Sequence, residues 1–124
     1  MMSQSHALKN LEGYLVLASW WIKLVLARIS IWKFKNGKRE DGFSMLDQTM
    51  VELTRRTKGF RGLLTFLSLQ EHDTGIIITL WDNEESLDSS SEGIFRTTTQ
   101  KLEPYVVGPP EVRSYRTFSA ELRQ

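Results

Sequence analysis

Two stretches of this chain are apolar on both parities of an extended backbone, and they lie side by side in the sequence. Between Lys58 and Asp82, Phe60, Leu64 and Phe66 share one parity while Leu63, Leu67 and Leu69 share the other. After a polar turn from Glu71 to Gly75, Ile76, Ile78 and Leu80 stand opposite Ile77 and Trp81. The pattern predicts a hairpin, strands two and three, in a sheet with large apolar groups on both faces. Upstream, residues 24 to 35 carry Val, Ile, Leu, Trp and Phe at strand density until Asn36-Gly37 breaks the run, which predicts strand one. Phe43, Leu46, Met50 and Leu53 then follow helical spacing. Glu40 and Asp41 in the first turn and Arg55, Arg56 and Lys58 in the last complement the helix dipole, and Gly59 stands just past the end.

Downstream of Trp81 the spacing becomes helical again. Asp82 and Glu85 have the separation of a capping box, and Leu87, Ser91, Ile94, Thr98 and Leu102 line one face of a second helix. Ser89-Ser90-Ser91-Glu92-Gly93 combines weak helix formers with a glycine and predicts a bend or break there. Pro104 signals the helix end, Gly108-Pro109-Pro110 is a stiff connector, and Val112 to Ser119 reads as strand four. The order is βαββαβ, an α+β class. Two such helices cover one face of a four-stranded antiparallel sheet, so the second apolar face calls for a partner. A second copy packed sheet to sheet is one cover, and the N-terminal segment folded over its own sheet is the other.

That segment, residues 1–23, differs from the rest. Leu8, Leu11, Leu15, Ala18 and Ile22 follow helical spacing, with Tyr14, Leu17 and Trp21 on a neighbouring stripe, so it reads as a mostly helical extension. Its uncharged run from Gly13 to Ile22 falls well short of the roughly 20 residues a spanning helix needs. A signal peptide would want a more basic start than Lys9 followed by Glu12. Residues 24–119 form the expected domain and 120–124 a tail.

Composition narrows the chemistry further. The 124 residues, 40% hydrophobic and 25% charged, suffice for one packed core and not two. Sixteen basic against fifteen acidic residues leave no net field to draw nucleic acid or an anionic membrane, so neither is an expected partner. The chain has no Cys, which excludes disulfides and thiolate catalysis and fits a cytoplasmic setting. His6 and His72 lack metal-ligand spacing, and no phosphate loop or nucleophile elbow occurs. Lys58-Gly59-Phe60 followed by Phe66 has some likeness to an aromatic RNA-binding strand, but it follows the first helix, where that motif would stand on the third strand.

The element order, Gly59-Phe60-x-Gly62 leading into strand two, Trp81 closing strand three before an acidic helix start, Phe95 in the second helix and Pro109-Pro110-Glu111-Val112 before strand four resemble the antibiotic biosynthesis monooxygenases. The resemblance runs from about Leu24 to Phe118. It implies a ferredoxin-like subunit of a dimeric α+β barrel, a homodimer, and a pocket between sheet and helices that takes a small, largely apolar or aromatic molecule. It also implies oxygenation with no cofactor, metal or flavin, in which the substrate's own enolate supplies electrons to oxygen. Trp81 is then the catalytic candidate, because an indole N–H can favour a developing oxyanion in a dry pocket. Its other reading is a large core aromatic.

The candidate pocket residues are Ala27, Ile77, Phe95 and Thr99. The oxygenase branch has an Asn four residues before the Trp and a Tyr six after it, where this chain has Ile77 and Leu87. The haem-degrading branch has a first-strand Asn and a second-helix His, which fall at Ala27 and Thr99. The expectation is therefore a homodimer binding a small apolar molecule, with cofactor-independent monooxygenation as the leading activity and a non-catalytic binding or structural dimer as the alternative.

Overall fold

In a computed structural model, which describes residues 25–90 and 92–121, the elements follow in the expected order. They are β1 (Leu26–Lys33), α1 (Arg39–Arg56), β2 (Phe60–Leu67), β3 (Thr74–Trp81), α2 (Glu84–Ser90), α3 (Ile94–Leu102), a 3₁₀ turn (Glu103–Tyr105) and β4 (Glu111–Arg116). The four strands form one antiparallel sheet in the order β2-β3-β1-β4. The helices expected on one face are there, the second of them divided in two at the serine and glycine stretch. The N-terminal extension and the ends of the tail lie outside the described residues.

Local chemistry explains most boundaries. Gly59 takes φ +82°, the left-handed geometry that ends α1 and turns the chain into β2. At the start of α2 the expected capping box is replaced. Asn83 Oδ1 accepts from the Ser86 N–H at 2.8 Å, while Asp82 accepts from Arg61 Nε across the sheet end. The helix begins one residue later than the box requires, so the cap passes from Asp82 to Asn83.

The core lies between sheet and helices. Phe43, Leu46 and Met50 of α1 meet Trp32, Ile77 and Trp81 of the sheet, and Leu87, Ile94 and Leu102 close the other side. Gly75 lets the Phe43 ring lie on β3, since a Cβ there would stand 2.5 Å from the ring edge. Along β2 the register shifts between Phe60 and Gly62, and this bulge corrects the predicted parity. Phe60 pairs with Trp81 on the helix side, its ring 5.6 Å from the indole and edge-on, whereas Leu64 and Phe66 pair with Ile78 and Ile76 on the other.

The two faces differ in an unusual sense. The face that carries no helix among the described residues, the open face, has Ile29 and Ile31 of β1 and Ile76, Ile78 and Leu80 of β3, all half-buried, and Leu64 and Phe66 of β2, 43% and 49% exposed. The covered face holds Arg28 and Ser30 of β1 and Thr79 of β3, all buried. Three polar groups thus stand among the apolar ones of the covered face, while the other face is apolar on all three strands.

Candidate functional site

The inward polar groups come together because adjacent antiparallel strands place direct partners on one face. Arg28 pairs with Thr79, and Ser30 with Ile77. On each strand a Trp stands two residues beyond the hydroxyl, on the same face: Trp32 Nε1 donates to Ser30 Oγ at 2.8 Å and Trp81 Nε1 to Thr79 Oγ1 at 2.9 Å. Both indoles are fully buried. Each is thus tied to its own strand, and its hydroxyl partner is turned by it.

Arg28 reaches from β1 to the helix α2. Its Nη1 donates to Ser90 Oγ at 2.7 Å and its Nη2 to the Leu87 carbonyl at 3.1 Å, so it binds the C-terminal end of α2. Its Cζ lies 5.7 Å from the Phe95 ring centre, within cation–π range. Burial lowers the guanidinium from its usual value and Asp88 pushes it back up.

These side chains enclose a small cavity between sheet and helices, walled by Arg28, Thr79, Trp81, Phe95, Met50 and Thr98. Its volume of about 20 Å³ admits roughly one water molecule. Ser90 and Ile94, both buried, also line a separate, wide groove of about 660 Å³ at the end of α1 and the α2–α3 break. The groove is lined on its far side by Lys58, Asn83 and Ser86.

Of the residues singled out from the sequence, Trp81, Ile77 and Phe95 all line this cavity. Ala27 does not: it pairs with Leu80 and so has the parity of the open face, one residue off the inward-facing Arg28. Thr99 is half-buried on α3, where its hydroxyl donates to the Phe95 carbonyl at 2.9 Å, and it lies outside the cavity wall. Sequence reasoning passed over Arg28, Ser30 and Thr79. The available signal was a cation and two hydroxyls at alternate positions inside strands otherwise made of large apolar residues. Among the described residues no cluster of His, Asp and Glu could hold a metal ion, and no helix is long and apolar enough to cross a membrane.

No family model and no curated protein matches the chain. Solved structures do. A conserved protein from Methanosarcina mazei superposes with a TM-score of 0.66 at 17% identity, over 79% of this chain and 97% of that one. A protein from Bordetella bronchiseptica assigned as an antibiotic biosynthesis monooxygenase gives 0.63 at 16% identity, over 73% and 93%. SnoaB of Streptomyces nogalater, a cofactor-independent oxygenase, gives 0.64 at 10% identity, over 78% and 96%. The chain has the ferredoxin-like fold of the antibiotic biosynthesis monooxygenases, and at these identities the likeness is one of fold.

Proposed function

We propose that this protein is a homodimer, joined through the open faces of its sheets, that binds a small, largely apolar or aromatic molecule between sheet and helices and oxygenates it without a cofactor. The observation that carries the binding reading is the set of three buried polar side chains within the otherwise apolar covered face. Stability alone favours apolar side chains on the covered face and polar ones outside. A covered face that holds Arg28, Ser30 and Thr79 is suited to a ligand, and an open face of Ile, Leu and Phe is suited to a second copy. The fold shared with SnoaB supports the oxygenase activity, with Trp81 as the residue on which turnover depends.

Binding without turnover is the second reading. It is favoured by Ile77 and Leu87, both buried and with side chains that cannot hydrogen-bond, at the positions where the oxygenase pattern has Asn and Tyr. Oxygen uptake with a panel of polycyclic phenols separates the two. Under the oxygenase reading the parent consumes oxygen and Trp81→Phe slows it by roughly tenfold or more, because the Thr79 hydroxyl that the Trp81 N–H holds loses its orientation. Uptake that is unchanged in Trp81→Phe removes Trp81 from the mechanism, and no uptake by the parent across the panel favours binding alone.

A further inference from the structure

Protein cores are packed nearly without voids, and this one keeps a space of about 20 Å³ beside Trp81. Ser30, Thr79, Ser90 and Thr98 stand around it, all buried, at positions where a larger apolar side chain would close it. Their hydroxyls are engaged elsewhere. Ser30 and Ser90 donate to the carbonyls of Ile77 and Leu87, Thr98 donates to that of Ile94 at 2.7 Å, and the Thr79 oxygen accepts the Trp81 N–H. What the wall presents to the space is almost wholly apolar, chiefly the rings of Trp81 and Phe95 and the side chains of Met50, Ile77 and Ile94.

That lining decides what the space takes. A water molecule is held by about two to four polar partners, and an apolar wall gives it too few. An aromatic ring is far too large, since a cavity that takes up benzene measures about 150 Å³. The volume here is a little above the roughly 10 to 15 Å³ that one water-sized sphere needs, which suits a small apolar molecule of two heavy atoms. Such a molecule gives the lining atoms the dispersion contacts they otherwise lack.

We infer that this cavity is a dioxygen site, formed by Met50, Ile77, Trp81, Ile94 and Phe95. This rests on the oxygenase reading above, in which dioxygen is the second reactant, and it gives that reactant a place of its own, apart from the organic molecule. Dioxygen is uncharged and apolar and dissolves better in hydrocarbon than in water, so an apolar cavity concentrates it without help from any charged group. Binding is non-covalent, and no bond forms or breaks in the cavity. Trp81 then serves twice, its ring bounding the gas while its N–H holds Thr79.

Methyl NMR of the full chain under xenon and under dioxygen tests the site without any turnover. Xenon should shift the methyl resonances of Met50, Ile77, Ile94 and Thr98 in a saturable way. Dissolved dioxygen, which is paramagnetic, should broaden the same resonances several-fold more than those of Leu46 and Leu102, which are as deeply buried but lie off the cavity wall. Thr98→Ile keeps the branched side chain, reaches one carbon further into the space, and should abolish both responses. It should also raise the oxygen concentration for half-maximal uptake several-fold and leave that for the phenol unchanged, a split that a merely structural role would not produce. Should Thr98→Ile fail to fold, the contrast between cavity and other core methyls in the parent carries the test. Gas responses no stronger on the cavity wall than at Leu46 and Leu102 overturn the site, as does a water-to-methyl cross-relaxation signal from a resident water, and either result leaves the oxygenase reading to its own uptake assay. An oxygen dependence unchanged after Thr98→Ile has removed the gas responses overturns the site's part in the reaction. A parent that holds both gases in the cavity yet takes up no oxygen with any phenol upholds the site and overturns the oxygenase reading.

Discussion

A second buried arginine shows what a purely structural guanidinium looks like in this fold. Arg39, 8% exposed, donates from Nη1 to the carbonyls of Ser68, Glu71 and Thr74 at 3.0 to 3.1 Å, and so clamps the β2–β3 turn against the start of α1. It faces mainly backbone and borders an open surface groove with Asn36, His72 and Asp73. Arg39→Met should destabilise the fold by about 2 to 3 kcal/mol, read from the denaturant midpoint, because charge-assisted bonds are lost and carbonyls are left dry. Arg39 Nη2 also meets Glu40, and this hydrogen bond holds the Glu40 carboxyl below its usual range. A lowered carboxyl contributes stability above its ordinary range and loses it as the pH falls through the lowered value. Since Glu40 is solvent-exposed, Glu40→Gln should hardly move the midpoint at neutral pH, and the small gap from the parent should close on acidification. At Trp81 the packing role is separable from the hydrogen bond. Trp81→Ala should cost about 3 to 5 kcal/mol through the cavity it opens beneath Phe60, whereas Trp81→Phe keeps most of the ring and should melt close to the parent.

The junctions between elements hold more of the specificity than the elements do. Gly59 serves three of them, ending α1, opening β2 and lying under α2. Its φ of +82° disfavours any other residue, and a Cβ at this position would run into the Ser86 side chain. Gly59→Ala should therefore cost about 1 to 3 kcal/mol by chemical denaturation. Adding Ser86→Gly should recover only the steric part, since the backbone strain stays. The division between α2 and α3 matters differently. It places Ser90 and Leu87 where Arg28 can reach the end of a helix, and it leaves Gly93 and Ile94 to line the groove.

For the molecule as a whole, the open face is the decisive surface. Ile, Leu and Phe of three adjacent strands lie together there, Leu64 and Phe66 exposed and the isoleucines half-buried, and the proposed dimer would cover them. Light scattering at micromolar concentration should give about twice the chain mass. Phe66→Lys or Ile78→Lys should shift that value to the monomer with little loss of the monomer's own helix and strand content, because these side chains point away from the core and a lysine stem can lie along the sheet. A parent protein that runs as a monomer would sink the sheet-to-sheet dimer.

What the amino-acid sequence determined by itself is whatever depends on neighbours along the chain. Helical spacing from Phe43 to Leu53, the alternation from Ile76 to Trp81, the stop at Gly59 and the break before Ile94 are local preferences, and they suffice for element order, fold class and a short list of large residues near the site, among them Trp81, Ile77 and Phe95. Which face each strand residue takes needs more than that. A single bulge after Phe60 reversed its side relative to Leu64, and a one-residue offset in β1 put Ala27 outside and Arg28 inside, since parity in a strand is fixed by register with its partners. The pairing of Arg28 with Thr79, which are 51 positions apart, and the transfer of the helix cap from Asp82 to Asn83 when Arg61 claims Asp82 were decided only by the tertiary structure. No local propensity records them, because each arises from a contact that exists only once the sheet has closed and the helices have packed on it.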